Sequence, residues 1–115
     1  MYYLINQFEF KSGVKIEGLK PVMFPFIVYA SNIHFRLFNR KKMGMKMVIT
    51  SVTDGKHMKN SKHYQGLAFD VRINDKSKDE IHLFYNALAT DINLMRNGCD
   101  VVLEKDHIHI EYDPK

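Results

Sequence analysis

The sequence predicts an α+β fold in which a small, mainly antiparallel sheet packs against two helices. Two observations support this class. Two segments alternate apolar and polar residues with a period of two, which indicates half-buried strands, and two longer segments repeat apolar residues with helical spacing. With 115 residues and 45% hydrophobic content, the chain is expected to form one domain over residues 1–115 with a single modest core.

The strands are predicted from alternation along the chain. In one segment Leu67, Phe69, Val71 and Ile73 alternate with Ala68, Asp70 and Arg72; in the other Ile108, Ile110 and Tyr112 alternate with His107, His109 and Glu111. Since residues i and i+2 of a strand share a face, each segment should present one apolar face and one polar face. Short extended structure before residue 18, a strand over 47–50 and a strand over 101–103 complete the expected sheet. A hairpin across 104–106 should join the last two strands.

The helices are predicted from apolar spacing and from turn residues. One helix should begin near Phe26 and stop near Gly44, with Pro21 and Pro25 in or before its first turn, where proline is tolerated. A second helix should follow the capping box Ser77-Lys-Asp-Glu80 and continue through 81–95, and Asn97-Gly98 should stop it.

The candidate chemistry lies in the two polar strand faces and in the loop before the first of them. Ser61-Lys-His63-Tyr-Gln-Gly66-Leu-Ala68-Phe-Asp70 and Asp106-His107-Ile-His109 together supply imidazoles, a ligand carboxylate and a further acid. These groups can build a three-ligand zinc site that leaves one coordination position open for water, which distinguishes a catalytic zinc from a structural one. His107 and His109 project together, so that one can bind the metal while the other lies over the substrate.

The two segments resemble known motifs of the M15 metallopeptidases, the D-alanyl-D-alanine carboxypeptidase and phage endolysin group. The first is similar to the family pattern S-x-H-x-x-G-x-A-x-D and the second to its H-x-H ending, and the similarity covers roughly residues 44–112. The resemblance implies the zinc fold shared with lysostaphin-like peptidases and the hedgehog domain. It also implies Zn²⁺ bound by His63, Asp70 and His109, with Asp106 as the general base and His107 stabilising the tetrahedral intermediate.

Several roles stay open at this point. Glu104 competes with Asp106 for the role of base. Family members often carry an arginine upstream of the first motif to hold a substrate carboxylate, and this chain has Lys56 there, which offers a point charge and not a bidentate fork. His57 is a candidate substrate contact. Ser61 and Tyr64 are candidates for hydrogen bonds at the substrate or around the metal ligands.

Composition limits the other classes of function. The single cysteine, Cys99, excludes an internal disulfide and a cysteine-rich zinc site. No apolar run is long enough to span a bilayer, so no membrane insertion is expected. The first residues show no signal peptide, so we expect synthesis in the cytosol and access to the cell wall through phage-mediated release or as part of a virion. The net charge of +4 is expected to reflect a solvated surface, although it would also suit a polyanionic partner.

The sequence therefore predicts a monomeric zinc peptidase that cleaves peptide bonds in peptidoglycan stem peptides or cross-links. Whether it is an endopeptidase or a carboxypeptidase stays open. The alternative is a catalytically inactive, zinc-stabilised binding module of the same fold. A nucleic-acid binder is a weaker third reading, because Phe35 and Phe38, the aromatic residues near the Arg36–Lys46 basic cluster, have the helical spacing of core residues.

Overall fold

The computed structural model describes residues 7–39, 45–53 and 65–114. The elements in chain order are strand β1 (Phe8–Phe10), a 3₁₀ turn (Pro21–Met23), helix α1 (Phe24–Phe38), strands β2 (Met47–Ser51) and β3 (Ala68–Arg72), helices α2 (Lys78–Ala89) and α3 (Ile92–Met95), and strands β4 (Cys99–Leu103) and β5 (His107–Tyr112).

The strands form one five-stranded sheet in the order β1-β2-β3-β5-β4. Only the β1–β2 pair is parallel, and the three remaining pairs are antiparallel. The predicted α+β class and the mainly antiparallel sheet are therefore confirmed. The hairpin between β4 and β5 is also confirmed, and the backbone N–H of Glu104 closes it by donating to the carbonyl of His107.

The predicted alternation on β3 and β5 is present in the structure. Phe69 and Val71 on β3, and Ile108 and Ile110 on β5, are fully buried in the core that the helices cover. On α1, Phe26 stacks on Tyr112 of β5 with 5.6 Å between ring centroids. The helices thus cover one face of the sheet, and the opposite face of β3 and β5 is left for polar side chains.

The second predicted helix is interrupted in the structure. The capping box forms as expected: the Ser77 hydroxyl accepts from the Glu80 backbone N–H at 3.2 Å, and the Glu80 carboxylate accepts from the Ser77 N–H at 2.8 Å. However, α2 ends at Ala89, and the side chain of Asp91 caps a separate short helix by accepting from the Leu94 N–H. Two helices were expected, and α3 is a third.

This interruption changes which side chains are buried. Ile92, which a continuous helix would bury, is 52% exposed, whereas Leu94 is fully buried. The continuous helix predicted over 81–95 would place Ile92 on the buried face with Leu88, and that prediction is therefore wrong. The physical reason is that Asp91 satisfies the free N–H groups of a new helix, which competes with continuation of the old one.

One polar group in the helical layer lacks partners. His34 on α1 is fully buried, neither ring nitrogen has a hydrogen-bond partner, and its ring packs edge-on against Phe38 and Phe84. The buried ammonium of Lys76 lies 5.3 and 5.4 Å from the same two aromatic rings and pairs with Asp75 at 2.8 Å. Burial, with a smaller contribution from Lys76, lowers the pKa of His34 to about 3.

Leu88→Ala should destabilise the protein by roughly 2–5 kcal/mol, because Leu88 is fully buried beneath α2 and truncation leaves a cavity. Leu83 on the same helix is 52% exposed and is the matched control; Leu83→Ala should change stability by no more than about 0.5 kcal/mol. Urea unfolding measures both. Equal losses for the two variants would contradict the burial of this face.

Stability should fall on acidification because His34 stays neutral when folded but gains a proton when unfolded. The loss begins near pH 6.5 and is complete near pH 3, and His34 accounts for roughly 3–5 kcal/mol of it. His34→Leu should remove that part of the pH dependence in urea titrations at a series of pH values. His82→Gln, at an exposed position on α2, should leave it unchanged.

Candidate functional site

The polar face of β3 and β5 brings Asp70 and both histidines of the H-x-H segment together. Asp70 lies opposite His109 in the register of the two strands, and Arg72 lies opposite His107. Oδ1 of Asp70 is 3.0 Å from Nδ1 of His109, and its Oδ2 is 3.6 Å from Nε2 of His107. Two of the three predicted zinc ligands therefore meet. The third, His63, lies outside the described residues.

The entry into β3 depends on Gly66. This residue has a φ of +74°, a backbone conformation that residues other than glycine rarely adopt. A Cβ at this position would also overlap the backbone carbonyl of Gly18. Its own carbonyl accepts from the Lys20 N–H at 2.9 Å. The glycine of the first motif thus allows the chain before β3 to pack against the segment that leads into α1. Ala68, fully buried on the same face as Asp70, keeps the adjacent position small.

Glu111 holds the second nitrogen of His109. Its carboxylate lies 2.7 Å from Nε2 of His109, and the side chains of both residues are largely buried. Burial alone would lower the pKa of His109, but the hydrogen bonds to Asp70 and Glu111 outweigh it and raise the pKa above its ordinary value. Sequence reasoning did not select Glu111 as a site residue. The available signal was its position two residues after His109, on the same face of the strand.

The Asp70–His109 pair fits a metal ion. Ligand atoms about 2.0–2.2 Å from a tetrahedral zinc ion lie roughly 3.4 Å apart. The observed 3.0 Å between Oδ1 and Nδ1 is close to that spacing, so the two groups need to separate only slightly. Metal-bound histidines commonly donate their other N–H to a carboxylate, which fixes the ring orientation. Glu111 is placed to accept such a bond.

The two acids considered as general base both lie in the hairpin turn between β4 and β5. Oδ1 of Asp106 is 2.7 Å from Nδ1 of His107, and this hydrogen bond lowers the pKa of the exposed Asp106 carboxyl. Glu104 is exposed in the hairpin turn. The geometry therefore brings the Asp106 carboxylate to His107.

A second group of carboxylates, on Asp100, Glu111 and Asp113, also could hold a metal ion, because one oxygen from each lies within 4.8 Å of the others. An all-carboxylate set suits hard cations such as Ca²⁺ or Mg²⁺ better than zinc, which favours nitrogen and sulfur ligands. Glu111 belongs to this group and also binds His109. Glu111 is therefore common to the two arrangements.

Two cavities differ in their relation to these residues. One of about 400 Å³ lies beside α1 and α3, where Tyr29, Arg36 and Asp91 line it, and it contains none of the predicted site residues. A smaller one of about 170 Å³ adjoins His107 and Asp106 on the polar face of the sheet. Of these two cavities, the smaller one is therefore part of the candidate site, because Asp106 and His107 line it.

The remaining predicted site residues, Lys56, His57, Ser61 and Tyr64, lie outside the described residues, so their roles stay predictions. Within the described ranges, no helix has the length and apolar character needed to cross a bilayer. Comparison with family models, curated proteins and solved structures found no match. The resemblance to M15 metallopeptidases therefore rests on the two sequence motifs.

Substitutions can separate the two candidate metal sites. Asp70→Asn should abolish zinc binding by the purified protein, whereas Asp100→Asn should leave it within about threefold, since Asp100 belongs only to the carboxylate group. Competition with a chromogenic zinc chelator measures both affinities. Loss of zinc in the Asp100 variant alone would assign the metal to the carboxylate group.

Glu111→Gln should weaken zinc binding by roughly 10–100-fold without abolishing it, because Glu111 orients His109 but is not itself a ligand in this arrangement. The same competition assay measures the change. An unaltered affinity would show that the Glu111–His109 contact does not support metal binding.

Proposed function

We propose that this protein is a zinc-dependent peptidase that hydrolyses peptide bonds in peptidoglycan stem peptides or cross-links. The observation that carries the proposal is the pairing of Asp70 with Nδ1 of His109 while Glu111 holds the other nitrogen. This is a ligand pair with a supporting carboxylate, built on two adjacent strands. The motif resemblance supplies the substrate class.

In this proposal His63, Asp70 and His109 hold the metal. A zinc ion bound there would polarise the scissile carbonyl and lower the pKa of a water molecule. The protein's own contribution is to hold the ligands rigidly. Asp70 is 5% exposed and lies in the middle of a paired strand, so its carboxylate has little freedom to move away from His109.

His107 is placed to stabilise negative charge that develops on the substrate. Asp106 holds its Nδ1 at 2.7 Å, which fixes the direction of the ring, and Nε2 points toward the site, 3.6 Å from Asp70. In its imidazolium form His107 donates from Nδ1 to Asp106 and can donate from Nε2 to a carbonyl oxygen that becomes anionic. A fixed donor of this kind lowers the barrier because it needs no reorganisation during the reaction.

The proton acceptor is Asp106 or Glu104. A general base works best when its pKa lies near the working pH, and the contact with His107 lowers the pKa of Asp106. Asp106 can accept the proton on its second carboxylate oxygen while Oδ1 holds His107, or it can serve only to orient His107 while Glu104 accepts the proton. In either case the acid takes a proton from the attacking water and returns it to the leaving amine.

The alternative function is a catalytically inactive, metal-stabilised binding module of the same fold. One observation favours it: the carboxylate of Asp106, the acid assigned as base, is already bound to Nδ1 of His107. The decisive experiment is digestion of purified peptidoglycan from several wall types by the zinc-loaded protein, with and without a chelator, and identification of the fragments by mass. Chelator-sensitive release of peptide fragments supports the peptidase. Absence of release by zinc-loaded protein on every wall type supports the binding module.

Asp106→Asn should reduce hydrolysis by about 10²–10⁴-fold while zinc content stays near stoichiometric, if Asp106 is the proton acceptor. His109→Ala should instead lose metal and activity together. Activity is measured as fragment release from peptidoglycan and metal content by elemental analysis.

Glu104→Gln is the matched control for the choice of acid, because it removes a carboxylate from the same hairpin turn. It should retain activity within about threefold when Asp106 is the base. An inactive Glu104 variant together with an active Asp106 variant would reverse the assignment.

A further inference from the structure

The cavity beside His107 has a cationic lining. Its volume of about 170 Å³ equals that of roughly six water molecules in the liquid. Arg72 enters it from β3, directly opposite His107 on β5, and Lys11 enters it from the chain that follows β1. The remaining lining side chains are Thr50, Asn74 and Asp106. Small volume and polar walls suit a compact polar group and not an apolar side chain.

The charges in this cavity favour an anion. Arg72 and Lys11 are cationic side chains, and Thr50 and Asn74 can add neutral hydrogen-bond donors. The single acid in the lining, Asp106, is already bound to His107 at 2.7 Å. Of the ion pairs formed between described residues, none involves Lys11 or Arg72. The guanidinium of Arg72 offers the planar fork that binds a carboxylate through two parallel hydrogen bonds.

The opposite side of the same sheet face carries the opposite charge. Asp100, Glu111 and Asp113 gather at the end of the β4–β5 pair where Glu111 lies opposite Ala68 of β3, whereas Arg72 lies opposite His107 at the other end of β3 and shares its cavity with Lys11. The Asp70–His109 pair lies between these two regions. A substrate that crosses the face is therefore oriented by its own charges, with its anionic group toward Arg72.

The register gives the distance from the cavity to the proposed metal ligands. Arg72 and His107 lie two residues along their strands from Asp70 and His109, which corresponds to roughly 7 Å. An extended peptide advances about 3.3–3.6 Å per residue, so 7 Å spans about two residues. If the substrate bond to be cleaved lies at the Asp70–His109 pair, the substrate group that occupies the cavity therefore belongs to a residue within two positions of that bond.

We propose that this cavity binds a carboxylate of the substrate, held by Arg72 and Lys11, and that the protein selects peptides with a free carboxylate within two residues of the cleaved bond. The placement relative to the cleaved bond rests on the proposed peptidase function. The anion site itself does not, because Arg72 and Lys11 are not metal ligands. The carboxylate is either the peptide's C-terminal group or an acidic side chain.

The test is a binding titration of the full chain in the presence of a chelator, so that binding is measured without turnover. The probes are an N-acetylated alanine tripeptide with a free C-terminus, its C-terminal amide, and an amidated tripeptide with a central glutamate, each in the L and D series, together with inorganic phosphate. Amide resonances of Thr50, Arg72 and Asn74, and the side-chain Nε–H of Arg72, report on the cavity by nuclear magnetic resonance.

The free-acid tripeptide, the glutamate peptide or both should shift these resonances, and the uncharged amide should not. Whichever peptide binds identifies the source of the carboxylate. Arg72→Gln should weaken that binding by roughly 10–100-fold, the usual effect of losing a hydrogen bond to a charged group. Lys11→Gln, at an exposed position, is a second variant whose folding is not in question and should weaken binding by at least about threefold. Arg36→Gln, on α1, is the control and should have no effect.

Equal binding of the acid and the amide, or unchanged affinity in both the Arg72 and Lys11 variants, would overturn the proposal. So would binding of phosphate alone, or failure of both carboxylate peptides to bind at millimolar concentration. Digestion of peptidoglycan by the zinc-loaded protein is measured separately. Selective binding without release of fragments from any wall type overturns the peptidase and leaves the carboxylate site, whereas release of fragments without selective binding overturns the carboxylate site and leaves the peptidase.

Discussion

The antiparallel pairing of β3 with β5 is the constraint on which the rest of the site depends. In this register Asp70 lies opposite His109 and Arg72 opposite His107, and each contact of the polar face follows from it. A shift by one residue would turn the site side chains toward the core and the core isoleucines toward solvent. Burial of the apolar face therefore also fixes which polar side chains meet on the other face. Only a register that keeps the alternation intact buries the four core side chains of these strands, Phe69, Val71, Ile108 and Ile110.

The two faces of the sheet have different roles: one packs into the hydrophobic core and the other carries the candidate site. The face beneath the helices is packed with apolar side chains, whereas the other carries a chain of alternating acids and imidazoles from Asp106 through His107, Asp70 and His109 to Glu111. Such a row of partly buried polar groups is costly unless each has a partner, and here the members supply partners to one another. Glu111 has two neighbours in this row: its carboxylate binds Nε2 of His109 and also lies beside the carboxylates of Asp100 and Asp113.

Much of the fold could be predicted because periodicity is a local property of the chain. Alternation identified β3 and β5, the Ser77 capping box located the start of α2, and the final hairpin was expected across 104–106 between two predicted strands. The break between α2 and α3 was not predicted. Apolar spacing alone continues through Ile92, and whether Asp91 caps a new helix depends on how the chain packs beyond it. The neighbours of His34 could not be predicted either, because Phe84 and Lys76 approach it from distant positions in the sequence.

The sequence by itself determined which residues share a strand face, and it therefore predicted that Asp70, His107 and His109 belong to one site. Only the tertiary structure decided that Asp70 pairs with Nδ1 of His109, that Glu111 takes the other nitrogen, and that Asp106 binds His107. It also decided that Lys11, 61 residues before Arg72 in the chain, shares a cavity with it. The reason is physical: a strand's period fixes which way side chains point, but strand order and register fix which of them meet.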